Sequence, residues 1–291
     1  MLGVVVMAYG SPATPEDIEP YYAHIRRGRP PTDEQLADLR RRYDALGGTS
    51  TLRARTEAQV RVLQSALGAD TKVALGMKHA APFIEDAVAS LNDDCDRIVG
   101  VVLAPHYSRM SIGEYVERAE QASTVPFSAV TSWATLPAYV DFLSSAVTDA
   151  LDGMPERTKV VFTAHSLPAR IVDAGDPYPD EVRATAAAVA AKAGLAQWTQ
   201  WSTAWQSAGR TPEPWLGHDV LEVIDDLARD GGDGLVVCPC GFVSDHLEVA
   251  YDLDVEAAAR AKEHGIAFAR TRVLNDDEAV LRALAAEVLA A

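Results

Sequence analysis

A repeated pattern constrains this chain more than any other feature. Val4-Val5-Val6-Met7-Ala8-Tyr9-Gly10-Ser11-Pro12 aligns with Val160-Val161-Phe162-Thr163-Ala164-His165-Ser166-Leu167-Pro168, each an apolar run ending in alanine, a ring and then proline. Val101-Val102-Leu103-Ala104-Pro105 matches Leu235-Val236-Val237-Cys238-Pro239 in the same way. The two spacings differ, as an old duplication with a longer insertion in its first half would leave them. Short apolar runs at Val4–Met7, Val73–Leu75, Ile98–Leu103, Val160–Thr163, Leu235–Val237 and Ile266–Val273 alternate with helical patterns. Alternation of this kind predicts parallel sheets covered by helices, an α/β fold.

Helix starts are signalled at Thr14-Pro15-Glu16-Asp17 and at Thr32-Asp33-Glu34-Gln35, the second a capping box. Helices are expected near 14–24, 33–45, 82–91 and 276–290, and a run over about 136–152 is expected to join an N-terminal lobe, 1–140, to a C-terminal lobe, 141–291. Tyr9 and His165 then stand at corresponding strand ends. In open parallel sheets ligands sit beyond the carboxyl ends of the strands, so both rings are expected to border one cleft.

The formal net charge of −16 argues against binding nucleic acid or anionic lipid through bulk electrostatics, so an anionic ligand needs a local basic cluster. Six arginines lie close together: Arg26, Arg27, Arg29, Arg40, Arg41 and Arg42. Their planar forks suit carboxylates, although some must pair with the many acids. Tyr43 and the turn Gly47-Gly48-Thr49-Ser50 follow, and its amides are suited to close approach by a flat or anionic ligand. The apolar N-terminus reads as a first strand rather than a signal peptide, and no run reaches the roughly 18 apolar residues of a membrane span. Cys95, Cys238 and Cys240 form no even disulfide set and point to a reducing, cytoplasmic setting. They are read as structural thiols, because three cysteines cannot supply the four ligands of an iron–sulfur cluster.

In Asp245-His246-Leu247-Glu248, continuing through Asp252 to Glu256, helical spacing puts Glu248, Asp252 and Glu256 on one face. Such a stripe is either simply solvated or a path for a hydrated divalent cation. A histidine and a carboxylate from different elements, His165 and Glu248, would hold a mid-row divalent metal loosely. His79 and His106, near strand ends, are candidates for the cleft wall, whereas His24, His218 and His264 read as surface or loop residues. Phosphate-loop, dinucleotide, zinc-protease and esterase motifs are missing.

Met7–Gly10, Tyr22–Arg29, Arg42–Gly48, Gly76–His79, Ala104–Ser108, Ala164–Pro168 and Gly241–Asp254, in this order, resemble the ferrochelatase family, particularly its compact Gram-positive-type members. The resemblance implies two Rossmann-like lobes, each a four-stranded parallel sheet flanked by helices. It implies that His165 and Glu248 are the inner metal ligands, with Asp252 and Glu256 outward on the same helix. It places Tyr9, Arg26, Arg42, Tyr43, Ser50 and Tyr115 against the tetrapyrrole. The implied reaction is insertion of ferrous iron, itself a substrate, into a porphyrin during haem biosynthesis. No cofactor is then required and no iron–sulfur cluster is expected, while a second divalent cation such as Mg2+ has a place near Asp252 and Glu256. A monomer is expected, in transient contact with a coproheme decarboxylase or an iron donor. Tyr9 and the arginine cluster favour coproporphyrin III. Protoporphyrin IX, a cobalt or nickel chelatase of another tetrapyrrole, and a non-catalytic tetrapyrrole or iron carrier remain the alternatives.

Overall fold

The computed structural model describes residues 1–48, 50–197, 199–209 and 211–291. It contains two four-stranded parallel sheets. In the first, β1 (Leu2–Ala8), β2 (Thr71–Met77), β3 (Arg97–Val102) and β4 (Phe127–Val130) lie in the order β2-β1-β3-β4. In the second, β5 (Lys159–His165), β6 (Trp201–Gln206), β7 (Gly234–Cys238) and β8 (Ala267–Arg270) repeat it as β6-β5-β7-β8. The sequence repeat is therefore a structural one. β1 and β5 hold the same position in their sheets, as do β3 and β7.

Side chains alternate across each strand, and the two faces bury into different layers. Val4 and Val6 of β1 and Val160 and Phe162 of β5 join one continuous core shared by both lobes. Between the sheets that core is filled by α3 (Leu52–Leu67), α6 (Pro137–Leu151), α8 (Tyr178–Lys192) and α12 (Glu278–Ala290), with Ile171 of the short α7 (Arg170–Asp173) joining it. Val5 and Met7 face outward onto α4 (Ile84–Asn92) and α5 (Ile112–Ala122), and Val161 and Val237 onto α9 (Val220–Arg229) and α11 (Ala258–Glu263). The expected boundary at 140/141 falls within α6. Although last in sequence, α12 packs on α3, β3 and β4 of the first lobe, and Ser128 Oγ donates to the Ala291 carbonyl at 3.3 Å.

The expected helices are present, with a 3-10 turn (Pro15–Asp17) leading into α1 (Ile18–Ile25) and a Thr32–Gln35 capping box starting α2 (Asp33–Ala45). Three differences stand out. β4 and β6 were not foreseen, because both are edge strands with mixed polarity. The run expected over Ile266–Val273 pairs only over Ala267–Arg270. The helix expected to carry the carboxylate stripe starts as a short α-turn, α10 (Leu247–Val249), and continues as a π-helix over Ala250–Ala257 before α11. Its i→i+5 bonding widens the turn, and a spacing of four still stays on one side.

Candidate active site

Each sheet delivers one ring to the cleft from its second strand. His165 is the last residue of β5, and its backbone is fixed from several directions. Tyr178 Oη donates to the His165 carbonyl at 2.9 Å, and Ser166 N–H donates to the Gln206 carbonyl at 2.8 Å. The ring is oriented by Nδ1–H, which donates to the Ser166 carbonyl. That contact leaves the Nε2 lone pair directed outward, the arrangement found in metal-binding histidines whose second nitrogen is held by a carbonyl.

Nε2 of His165 faces Glu248 Oε1 at 3.6 Å, and the two side chains keep 34% and 36% of their surface exposed, so both can be reached from the cleft. On its other side Glu248 Oε2 lies 3.6 Å from His246 Nε2. Gln206 holds the Glu248 backbone carbonyl at 3.0 Å through Nε2 while its Oε1 accepts from Thr163 Oγ1 at 2.8 Å, tying the helix start to β5. Burial alone would discharge His165, but the Glu248 carboxylate and the Ser166 carbonyl outweigh it and raise its pKa. Burial likewise opposes the Glu248 charge, and the two flanking imidazoles overcome that and hold its carboxyl well below the usual range. His246 was absent from the sequence-based ligand set, and its signal was its position two residues before Glu248.

Asp252 and Glu256 follow on the π-helix. Burial pushes Asp252 up to about 6, helped by Glu248 and Glu256 and opposed by the Ser207 hydroxyl and Arg42. Arg42, reaching over from α2, places Nη1 3.2 Å from Asp252 and Nη2 3.7 Å from Glu256, with Nε 3.4 Å from Asp38 and the guanidinium 4.7 Å from the centre of the Tyr251 ring. The stripe is thus bound from the first lobe by a cation. Among the described residues no three His, Cys, Asp or Glu side chains form a ready metal cluster. His165 and Glu248 offer two ligands, a set suited to loose, exchangeable binding.

Tyr9, just beyond β1, is 42% exposed and lies 4.6 Å from His79, ring centre to ring centre. Burial raises its phenol pKa first and the Glu248 charge second, so the two lobes meet electrostatically here; the same carboxylate acts on Tyr43. A cavity of about 420 Å³ beside Tyr9 is lined by His24, Arg27, Lys78, His79 and Glu114 among others. His24 is exposed, as the sequence reading expected, and adds a contact to it: its Nδ1 is 3.0 Å from His79 Nδ1, and its ring stacks on Phe83. His106, expected on the cleft wall, corrects the sequence reading, being 2% exposed and hydrogen-bonded through Nε2 to Thr185 Oγ1 at 2.9 Å. Arg26 is at the end of α1 over the Tyr22 ring, and its Nε is buried with no hydrogen-bond partner among the described residues. Tyr43 and Tyr115 are 2% and 5% exposed, so their rings belong to the core beneath the wall. Gly47 and Gly48 adopt φ of 93° and 103°, which demand glycine, and the Ser50 hydroxyl accepts from Leu52 N–H at 3.1 Å. Thr49 of that turn lies outside the described residues. Cys95, Cys238 and Cys240 are buried and free.

Two linked α/β lobes, with a histidine–carboxylate pair on one and tyrosine and arginine on the other, define a chelatase. Solved chelatase structures share the fold: SirB from Bacillus subtilis with Fe3+ has a TM-score of 0.58 at 13% identity, over 99% of this chain and 94% of that one. DR2241 from Deinococcus radiodurans, a multi-domain protein with structural similarity to chelatases, has a TM-score of 0.57 at 12% identity, over 98% of this chain and 54% of that one. The chain belongs to the ferrochelatase family, whose model matches residues 1–291, and is an enzyme that inserts metal into a porphyrin. Its relatives include the coproporphyrin III ferrochelatases of Halalkalibacterium halodurans, 43% identical over 94% of this chain and 92% of theirs, and Bacillus subtilis, 41% identical over 99% and 97%.

Proposed function

We propose that this enzyme inserts ferrous iron into coproporphyrin III, giving Fe-coproporphyrin (coproheme). The observation that carries the reading is the His165 Nε2 lone pair facing Glu248 at 3.6 Å, across the cleft from Tyr9. Metallation must strip water from the ion, remove two weakly acidic pyrrole protons and bend a flat macrocycle until a nitrogen lone pair points at the metal. The Nε2 lone pair of His165 holds the ion and, once the ion has passed to the macrocycle, accepts one pyrrole proton, while Glu248 supplies the negative charge that draws the ion in and a carboxylate to take the other. Bending is ground-state distortion sustained by contacts remote from the ring centre. Arg26 is available for such a contact, because its guanidinium lies over the Tyr22 ring and no acid pairs with it among the described residues. Ser50 and Arg42, the latter already facing Asp38, Asp252 and Glu256, are the further anchors that the resemblance gives, and Tyr9 forms the wall over the buried rings of Tyr43 and Tyr115.

Coproporphyrin III carries four propionates where protoporphyrin IX carries two, and a chain of charge −16 needs several charge-assisted anchors to hold an anion. Relatives named for coproporphyrin III support the same choice. Asp252 and Glu256 would hold a second divalent cation such as Mg2+ only in competition with Arg42, which already faces both carboxylates, and the reaction requires no cofactor or iron–sulfur cluster. No helix among the described residues is long and apolar enough to cross a membrane. The enzyme acts as a cytoplasmic monomer that meets a coproheme decarboxylase or an iron donor transiently.

The test is to follow the absorbance of each porphyrin with anaerobic ferrous iron. A higher kcat/KM for coproporphyrin III is expected. Equal or better turnover of protoporphyrin IX in detergent-controlled assays would return the enzyme to the protoporphyrin branch.

A further inference from the structure

Gln59 lies in the middle of α3, fully buried, and far in sequence from His165 and Glu248. A buried primary amide needs partners for its whole polar end, and all of the ones that Gln59 uses belong to the other half of the chain. Nε2 donates to the Val243 carbonyl at 3.0 Å and to the Asn275 carbonyl at 2.8 Å, while Oε1 accepts from Ser244 Oγ at 3.3 Å. Val243 and Ser244 lie on the segment that leads from β7 to Glu248.

The same segment is held at its next residue. Asn275, with φ of +46°, accepts from Asp245 N–H at 3.0 Å and donates to Asp245 Oδ2 at 2.8 Å, while Arg270 reaches Asp245 Oδ1 at 3.0 Å. Thr51 caps α3 yet gives its hydroxyl to the Asp245 carbonyl at 2.8 Å rather than to its own helix, and it adjoins Ser50. α3 therefore touches the Glu248 arm at two levels, through Thr51 and through Gln59.

We infer that Gln59 is a positioning residue for the metallation reaction, holding the Val243–Asp245 segment so that Glu248 keeps its distance from a porphyrin anchored on the first lobe. This rests on the reading of His165 and Glu248 as the metal-facing pair. A filler would need only shape, whereas this amide selects two carbonyls and one hydroxyl on the segment that ends at Glu248. A displacement near 1 Å at a reacting group lowers rates severely. Gln59 touches no substrate, so its effect must pass through Glu248.

The experiment compares Gln59→Leu, Ser244→Ala and Asn275→Gly with Thr185→Val, which breaks a different contact between the lobes, that of His106 with Thr185. Asn275→Gly tolerates the positive φ while removing the clamp on Asp245. Each variant is assayed at least 15 °C below its own Tm, with porphyrin affinity measured by fluorescence titration and the iron KM and kcat by anaerobic metallation. Gln59→Leu should raise the iron KM or lower kcat about tenfold or more, leaving porphyrin Kd within about twofold. Ser244→Ala and Asn275→Gly should shift in the same direction by smaller factors, and Thr185→Val should lose Tm with unchanged kinetics. Wild-type kinetics in Gln59→Leu, or in both milder variants if that one does not fold, would overturn the inference, as would an equal kinetic loss in Thr185→Val. If the wild type fails to metallate any porphyrin, the functional reading itself is at fault.

Discussion

The Arg42 guanidinium stands 3.2 Å from the Asp252 carboxylate, joining α2 of the first lobe to the π-helix of the second across the mouth of the cleft. It also faces Glu256, so one cation serves two carboxylates that would otherwise repel each other. Arg42→Ala is expected to lower stability by about 1–3 kcal/mol in urea unfolding, because it leaves a buried carboxylate without its counter-charge. Asp252, which burial already holds near 6, should then take up a proton at still higher pH. Arg42→Lys should restore only part of the stability, since a point charge cannot span two partners as a planar fork does. Unchanged unfolding midpoints would show that the contact contributes nothing.

Arg26 differs from Arg42 because no acid is paired with it among the described residues. Arg26→Ala should raise the KM for coproporphyrin III several-fold while leaving the iron KM within about twofold. Exposed propionate–arginine pairs contribute only about 0.2–1 kcal/mol each and are screened, so the preference for coproporphyrin III should shrink as salt is raised. A preference that ignores both salt and Arg26 would place the selectivity in ring shape instead.

Much of this was legible in the sequence, and the reason differs from element to element. Val4–Met7 and Val160–Thr163 could be read because central strands buried on both faces are apolar throughout, and because they recur. Phe127–Val130 and Trp201–Gln206 could not, since each pairs on one side only and carries Ser128, or Ser202, Thr203 and Gln206, in the pattern. The π-helix has no sequence signature separable from the α-helical spacing of Glu248, Asp252 and Glu256. Contacts between distant residues were also hidden: nothing local couples His24 to His79, 55 residues apart, or Arg42 to Asp252, 210 apart.

Acid should weaken the fold by a defined route. Thr185 Oγ1 donates to the Ala134 carbonyl, so His106 Nε2–H must be the donor to Thr185, and the buried Nδ1 has no partner among the described residues to accept a second proton's hydrogen bond. Burial accordingly pulls His106 down to about 3, against about 6.5 when unfolded. The unfolded chain binds the extra proton first, so this stability is complete above about 6.5 and is lost as pH falls toward 3. His79, also near 3 through burial and the charges of Lys78, His24 and Arg118, acts with the same sign. Between pH 6 and 4, His106→Gln should flatten the dependence of unfolding free energy on pH by up to about 1.4 kcal/mol per unit. Parallel curves for the variant and the wild type would mean that His106 is already protonated in the folded protein.

The central claim is that His165 and Glu248 receive the metal while the other lobe holds the porphyrin. The most direct measurement is single-turnover metallation of coproporphyrin III by folded His165→Ala and Glu248→Gln under anaerobic ferrous iron, with porphyrin binding titrated on the same samples. Both variants should bind the porphyrin within about tenfold of wild type and metallate it at no detectable rate, because the anchors survive and the metal-facing pair does not. Turnover near the wild-type rate in either variant would contradict the account.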